Sequence, residues 1–116
     1  AGSPEAVSAL LKQKTDVNAA EADGTTALHW AAHANSLEMT RQLLRAGANP
    51  NAVNRYGVAP LRLAVEAGNA ALAEALLKAG ANANAAIPNG ESVLMVAARV
   101  GDPATVKMLM AAAYTA

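Results

Sequence analysis

The sequence predicts an all-α solenoid of stacked helix-turn-helix units, joined by β-turn or hairpin loops, with a period of about 33 residues. Three observations carry that expectation. Gly24, Gly57 and Gly90 are evenly spaced at this period, and so are Asn18, Asn51 and Asn84. The apolar pairs Leu10-Leu11, Leu43-Leu44, Leu76-Leu77 and Leu109-Met110 fall on the same interval. Self-similarity at a fixed period of this length is the signature of a repeat architecture, in which each unit buries its apolar face only against its neighbours. Leu28, Leu61 and Leu94, and likewise Ala31, Ala64 and Ala97, keep the register.

Each period reads in the same order. A turn closes on glycine, as in Ala22-Asp23-Gly24, Arg55-Tyr56-Gly57 and Pro88-Asn89-Gly90. Glycine there supplies the positive φ that other residues resist. A short first helix follows, over about residues 26–34, 60–67 and 93–100. A tight connection leads to a second helix over 37–45, 70–78 and 103–112. Thr26 and Ser92 stand where the first helix needs an N-cap hydroxyl. Ser3, Ser36, Asn69 and Asp102 share the register before the second helix, and Pro4 and Pro103 follow two of them at the first helical position. Gly47 and Gly80 sit just past two second helices, where a left-handed terminator belongs.

Composition agrees with thin helical layers. Of 116 residues, 32 are alanine, Phe is absent and there is one Trp. Alanine favours helix and lets backbones approach closely, whereas a single globular core made of it would bury little area. Nine basic residues balance nine acidic ones. The absence of a basic surplus argues against nucleic acid or an anionic membrane as the main partner. There is no cysteine, which excludes disulfides and thiolate metal sites and leaves the redox compartment open. No apolar run reaches the ~20 residues that span a bilayer. Ala1-Gly2-Ser3 is unlike a signal peptide. The default expectation is a soluble, cytoplasmic chain, with an export signal on a longer parent left open.

These residues resemble the ankyrin repeat family. Gly24-Thr25-Thr26-Ala27-Leu28-His29-Trp30-Ala31-Ala32 matches the family's opening pattern with Ala27 in place of Pro. Gly47-Ala48-Asn49-Pro50-Asn51-Ala52 and Gly80-Ala81-Asn82-Ala83-Asn84-Ala85 match its closing pattern with Asn in place of Asp. The likeness covers essentially the whole chain. It divides 1–116, read as one domain, into a partial repeat at 1–19, repeats at 20–52 and 53–85, and a nearly complete repeat at 86–116. In the family, Thr and His side chains tie hairpin to helix and repeat to repeat. Only Thr26 and His29 retain the pair, because the later repeats read Ala59-Pro60-Leu61-Arg62 and Ser92-Val93-Leu94-Met95. The expectation is that no other repeat makes this tie and that those repeats rely more on apolar packing.

The family's use of turn tips and the outward face of the first helices implies a concave protein-binding surface. By register it comprises Ala22, Asp23, Thr25 and His33, then Arg55, Tyr56, Val58 and Glu66, then Pro88, Asn89, Glu91 and Arg99. Trp30 is added as a groove-lining or partly buried residue. Arg55 and Tyr56 are the expected hot spots, since Arg and aromatic side chains dominate binding energy. Tyr56 folded back over the neighbouring hairpin is the alternative. Arg55, Arg62 and Arg99 set against Asp23, Glu66 and Glu91 read as a mixed, self-compensating face.

Chemistry is otherwise sparse. His29 and His33 have the spacing of a zinc pair, but Trp30 occupies the place of the zincin glutamate and no third ligand is evident. The turn glycines are isolated and form no phosphate loop, and Ser92 lacks the flanking glycines of a nucleophile elbow. Glu38, Glu66 and Glu74 fall on different helices. The expectation is a non-enzymatic interaction module with no cofactor, no metal and an unknown protein partner. The alternative is a structural module, a fragment of a longer array or multidomain protein, whose uncapped ends self-associate or dock within the chain.

Overall fold

The computed structural model describes residues 17–114. Among them run six helices: α1 (Ala27–His33), α2 (Leu37–Arg45), α3 (Pro60–Glu66), α4 (Ala70–Lys78), α5 (Val93–Val100) and α6 (Pro103–Tyr114). The starts of α1, α3 and α5 keep the sequence period, as do those of α2, α4 and α6. Ser3, Pro4 and the Leu10-Leu11 pair lie outside the described residues.

The helices form two layers. α1, α3 and α5 stack on one another in the first, α2, α4 and α6 in the second, and each first helix packs against the second helix of its own unit. The core follows the repeating register. Leu28 and Leu61, with Ala31, Ala64 and Ala97, are buried where the first helices meet, and Leu43, Leu76 and Leu109 are buried beneath the second. Burying one leucine contributes roughly 1.5–3 kcal/mol, so one such residue per layer per unit is a large share of the local stability. The alanines contribute little area but set a close helix spacing.

Caps fix the helix boundaries. The Ser36 hydroxyl accepts from Met39 N–H at 3.2 Å, Asn69 Oδ1 from Leu72 N–H at 3.1 Å and Ser92 Oγ from Met95 N–H at 3.2 Å. Asp102 Oδ1 accepts from Ala104 N–H at 3.2 Å. At the other end, Gly47 N–H donates to Leu44 O and Ala48 N–H to Leu43 O, and Gly80 and Ala81 repeat the pair on Leu77 and Leu76. This double bond closure around a left-handed residue satisfies carbonyls that the helix leaves orphaned. Between first and second helices the left-handed residue is Asn35, then Gly68, then Gly101.

The turns are narrower than full hairpins. Antiparallel pairing among the described residues is limited to isolated bridges, Ala20 with Thr26 and Ala86 with Ser92. Neighbouring turns touch closely: a Cβ at Gly57 would lie 2.7 Å from the Pro88 ring. The recurring asparagines clamp one unit to the next. Asn51 Nδ2 donates to Gly80 O at 2.9 Å while its Oδ1 accepts from Asn82 N–H at 2.8 Å. Asn18 makes the same two bonds to Gly47 O and Asn49 N–H, at 3.2 and 2.6 Å.

One expectation is corrected. Loss of the Thr-His pair after the second repeat does not leave its successor to apolar packing alone. His29 Nε2 reaches Val58 O at 2.8 Å, crossing to the next turn. Arg62 occupies the register of His29, is 7% exposed, and donates from Nη1 to Glu91 O at 3.1 Å. The guanidinium therefore makes the same inter-repeat bond with a longer arm. Sequence pattern alone missed this because Arg does not look like His, although both present an N–H at the end of a planar group.

Candidate protein-binding surface

The expected surface is built by the turns and by α1, α3 and α5. At the first turn, Asp23 Oδ1 accepts from Thr25 N–H at 2.9 Å. Bonds from the Thr25 backbone and hydroxyl hold the Asp23 carboxyl below its ordinary value of 3.8, with the Arg55 charge a smaller contribution. Asn89 makes the matching bond in the third turn, to Glu91 N–H at 2.9 Å. In the second turn Asn54 does this work, its Oδ1 accepting from Tyr56 N–H at 2.9 Å and Val58 N–H at 3.1 Å. The turn thereby frees both Arg55 and Tyr56 from shaping the backbone with their side chains.

Tyr56 is 59% exposed and does not fold back into the stack. The Arg55 guanidinium lies over its ring, 5.2 Å from the centroid, with Nη2 donating to the phenol oxygen at 3.1 Å. Cation and ring form one preorganised knob on the turn tip. Trp30 projects from α1 at 38% exposure, and its indole N–H donates to Glu21 Oε1 at 2.6 Å. His33 meets that indole edge-on, with ring centroids 6.1 Å apart. Asp23, Thr25, His29, Trp30, His33, Asn54 and Leu63 together line a groove of about 260 Å³.

Toward the third unit the surface is charged and internally paired. Arg62 bridges Glu66, at 3.1 Å, and Glu91, while Arg99 pairs with the second oxygen of Glu91 at 3.3 Å. Glu91 is half-buried between the two arginines, so it holds the turn to α3 as well as facing outward. Val58 is half-buried and gives its carbonyl to His29. Glu66, Asn89 and Arg99 are exposed. The positions lie on the turns and first helices, with Trp30 and His33 in one groove, the Arg55–Tyr56 pair on the second turn tip, and a compensated ionic group around Arg62. Asn54 and Leu63 line that groove, Glu21 holds its indole, and none of the three was among the expected positions. The available signal was their register: Leu63 stands one period after Trp30, and Asn54 precedes the hot-spot pair in the turn.

Both nitrogens of His29 are engaged. Nδ1 meets the Thr26 N–H and hydroxyl at 3.1 and 2.9 Å, opposite the Nε2 contact. His29 therefore has no free nitrogen to offer a metal beside His33. Among the described residues no three His, Cys, Asp or Glu side chains come together as a metal site, and no helix is long and apolar enough to cross a membrane.

Two layers of short antiparallel helices, glycine-closed turns and an asparagine clamp once per period define a helical repeat solenoid with an exposed turn face. A family model described as ankyrin repeats, in three copies, matches residues 1–87. The chain belongs to the ankyrin repeat family. Helices α5 and α6 lie beyond the matched residues and keep the period. A search of curated proteins returned no match.

Proposed function

We propose that the chain is a protein-binding module that engages its partner through the turn tips and first helices, with Arg55 and Tyr56 as the main contacts. Ankyrin repeats are generally interaction modules and typically non-catalytic, which supports this reading at the level of the class. The single observation that carries the finer assignment is the exposed Arg55–Tyr56 knob, whose side chains bond only to each other among the described residues. Large aromatic and Arg side chains that are rigid before binding lose little entropy on contact. The test is selection of a random-peptide display library on the whole chain, followed by affinity measurements on Arg55→Ala and Tyr56→Ala. Each variant is expected to weaken the selected peptides by about tenfold or more with unchanged melting. Peptides indifferent to both changes would refute the assignment.

A second reading is favoured by one further observation. Leu94 is 37% exposed, although its counterparts Leu28 and Leu61 are 0% and 1% exposed, and Met95 on α5 and Met110 on α6 are also exposed. This end face has the composition of an inter-repeat contact. Self-association through it predicts a mass that rises with concentration in light scattering and stays monomeric in Leu94→Glu; a concentration-independent monomer eliminates it.

A further inference from the structure

We propose that the groove lined by Asp23, Thr25, Trp30, His33, Asn54 and Leu63 takes one arginine side chain of an extended peptide. The inference rests on the protein-binding reading of this face and goes beyond it by assigning the ligand's chemistry.

Size limits the occupant first. At about 260 Å³ the groove falls below the ~300–1,000 Å³ of small-molecule sites, so it suits a single side chain. Its walls are of two kinds. Trp30 and Leu63 offer apolar surface for an aliphatic stem, and Asp23 offers a carboxylate at the turn end.

The register shows that neither Trp30 nor the charge of Asp23 is demanded by the scaffold. The positions equivalent to Trp30 are Leu63 and Val96, so an aliphatic residue fulfils the packing role. The position equivalent to Asp23 in the third turn is Asn89, which makes the same bond to the N–H two residues on at the same 2.9 Å. A neutral amide therefore suffices for the turn, and the negative charge is additional. That charge is not consumed by an ion pair among the described residues. Among the described residues the four ion pairs join Arg62 to Glu66, Arg62 to Glu91, Lys78 to Glu74 and Arg99 to Glu91, and Asp23 takes part in none. Arg55 acts on Asp23 only through space, its guanidinium being parked on Tyr56. Glu21, which holds the indole nitrogen, adds a second negative group beside the groove.

A carboxylate next to an indole selects a cation. The indole attracts positive charge through its ring quadrupole. Arginine satisfies both walls better than lysine, because its planar guanidinium stacks on an aromatic surface and donates two parallel bonds to a carboxylate. Asp23 retains acceptor capacity for this, since a carboxylate accepts about four hydrogen bonds, and the donors that lower its pKa are the Thr25 backbone and hydroxyl and, more weakly, its own N–H.

The test uses the whole chain and the peptide acetyl-Gly-Ser-Arg-Ser-Gly-amide, with a second peptide carrying citrulline, the neutral isostere, in place of arginine. The readouts are the fluorescence of the single Trp and backbone amide NMR shifts. The arginine peptide should bind saturably, shifting Thr25, Asn54 and the Trp30 indole, and the citrulline peptide should bind about fivefold more weakly. Asp23→Asn keeps the turn bond and should reduce the arginine peptide to the citrulline level at unchanged melting. Trp30→Leu, followed by NMR, should weaken the arginine peptide while preserving the shifts of α2 and α4. Equal affinity for the two peptides, absence of saturable binding, or shifts centred on the second-layer helices would overturn the proposal. Library-selected peptides that require Tyr56 but no arginine would also overturn it, while leaving the protein-binding reading in place.

Discussion

Arg62 separates a residue's reach from its accessibility. It stands on the same face as the proposed binding positions, yet its guanidinium is drawn inward by Glu66, Glu91 and the Glu91 carbonyl. Arg62→Met retains the apolar stem and removes the charge and the inter-repeat bond. The expected cost is about 2 kcal/mol, the range of hydrogen bonds to charged groups, read as a lower urea midpoint. An unchanged midpoint would mean that α3 and the third turn hold together without it. Asp23 gives a pH signature. Its carboxyl lies below the ordinary 3.8 when folded because Thr25 donates to it. A depressed folded value means that its stabilisation is full above 3.8 and is lost as pH falls through the folded value. Asp23→Asn keeps the bond to Thr25 N–H without titrating, so its stability should decline less steeply on acidification below that point. Parallel acid curves for the two proteins would contradict the bond's role. These details were only partly legible beforehand. Charge balance around Arg99, Glu66 and Glu91 could be read from their register, whereas the inward rotamer of Arg62 depends on three-dimensional proximity to a turn 29 residues later.

At the scale of the element, nearly everything was legible, and for a local reason. Ser36, Asn69, Ser92 and Asp102 each accept from an N–H in the first turn of the helix they precede, and Gly47 and Gly80 adopt the positive φ that ends a helix. Such signals act within a few residues and so survive in one sequence. Asn35 sits at the register of Gly68 and Gly101 with φ of 60°, and its side chain is also tied, accepting from Asn69 Nδ2 at 2.7 Å. The turn contacts were not legible, because they depend on how closely successive turns approach. Gly57 and Gly90 share a positive φ, but only Gly57 has a proline ring against it. Gly90→Ala should cost about 1–2 kcal/mol for the left-handed backbone. Gly57→Ala should cost a further 1–3 kcal/mol or so for the enforced displacement of Pro88. Thermal melts of the two variants compare them directly, and equal losses would show that the turns do not pack as described.

The whole molecule is a one-dimensional stack, in which a unit's stability comes from its own fold and its contacts with neighbours. Stacking within both helix layers, the His29 and Arg62 bonds to the next turn, and the Asn18 and Asn51 clamps provide these contacts. The turn tips and the outer side of the first layer are left to vary, which is why Tyr56 and Trp30 can be exposed without loss of fold. A competing surface exists: a groove of about 430 Å³ runs between α2 and α4, lined by Arg41, Arg45, Glu74 and Lys78. It has no aromatic anchor, and Glu74 already pairs with Lys78 at 3.6 Å. The two faces are distinguished most directly by residue-resolved hydrogen exchange of the whole chain, free and bound to a library-selected peptide. The account predicts slowed exchange at Thr25, Arg55, Tyr56 and the N–H groups of α1 and α3, with α2 and α4 unchanged. Protection confined to α2 and α4 would contradict it.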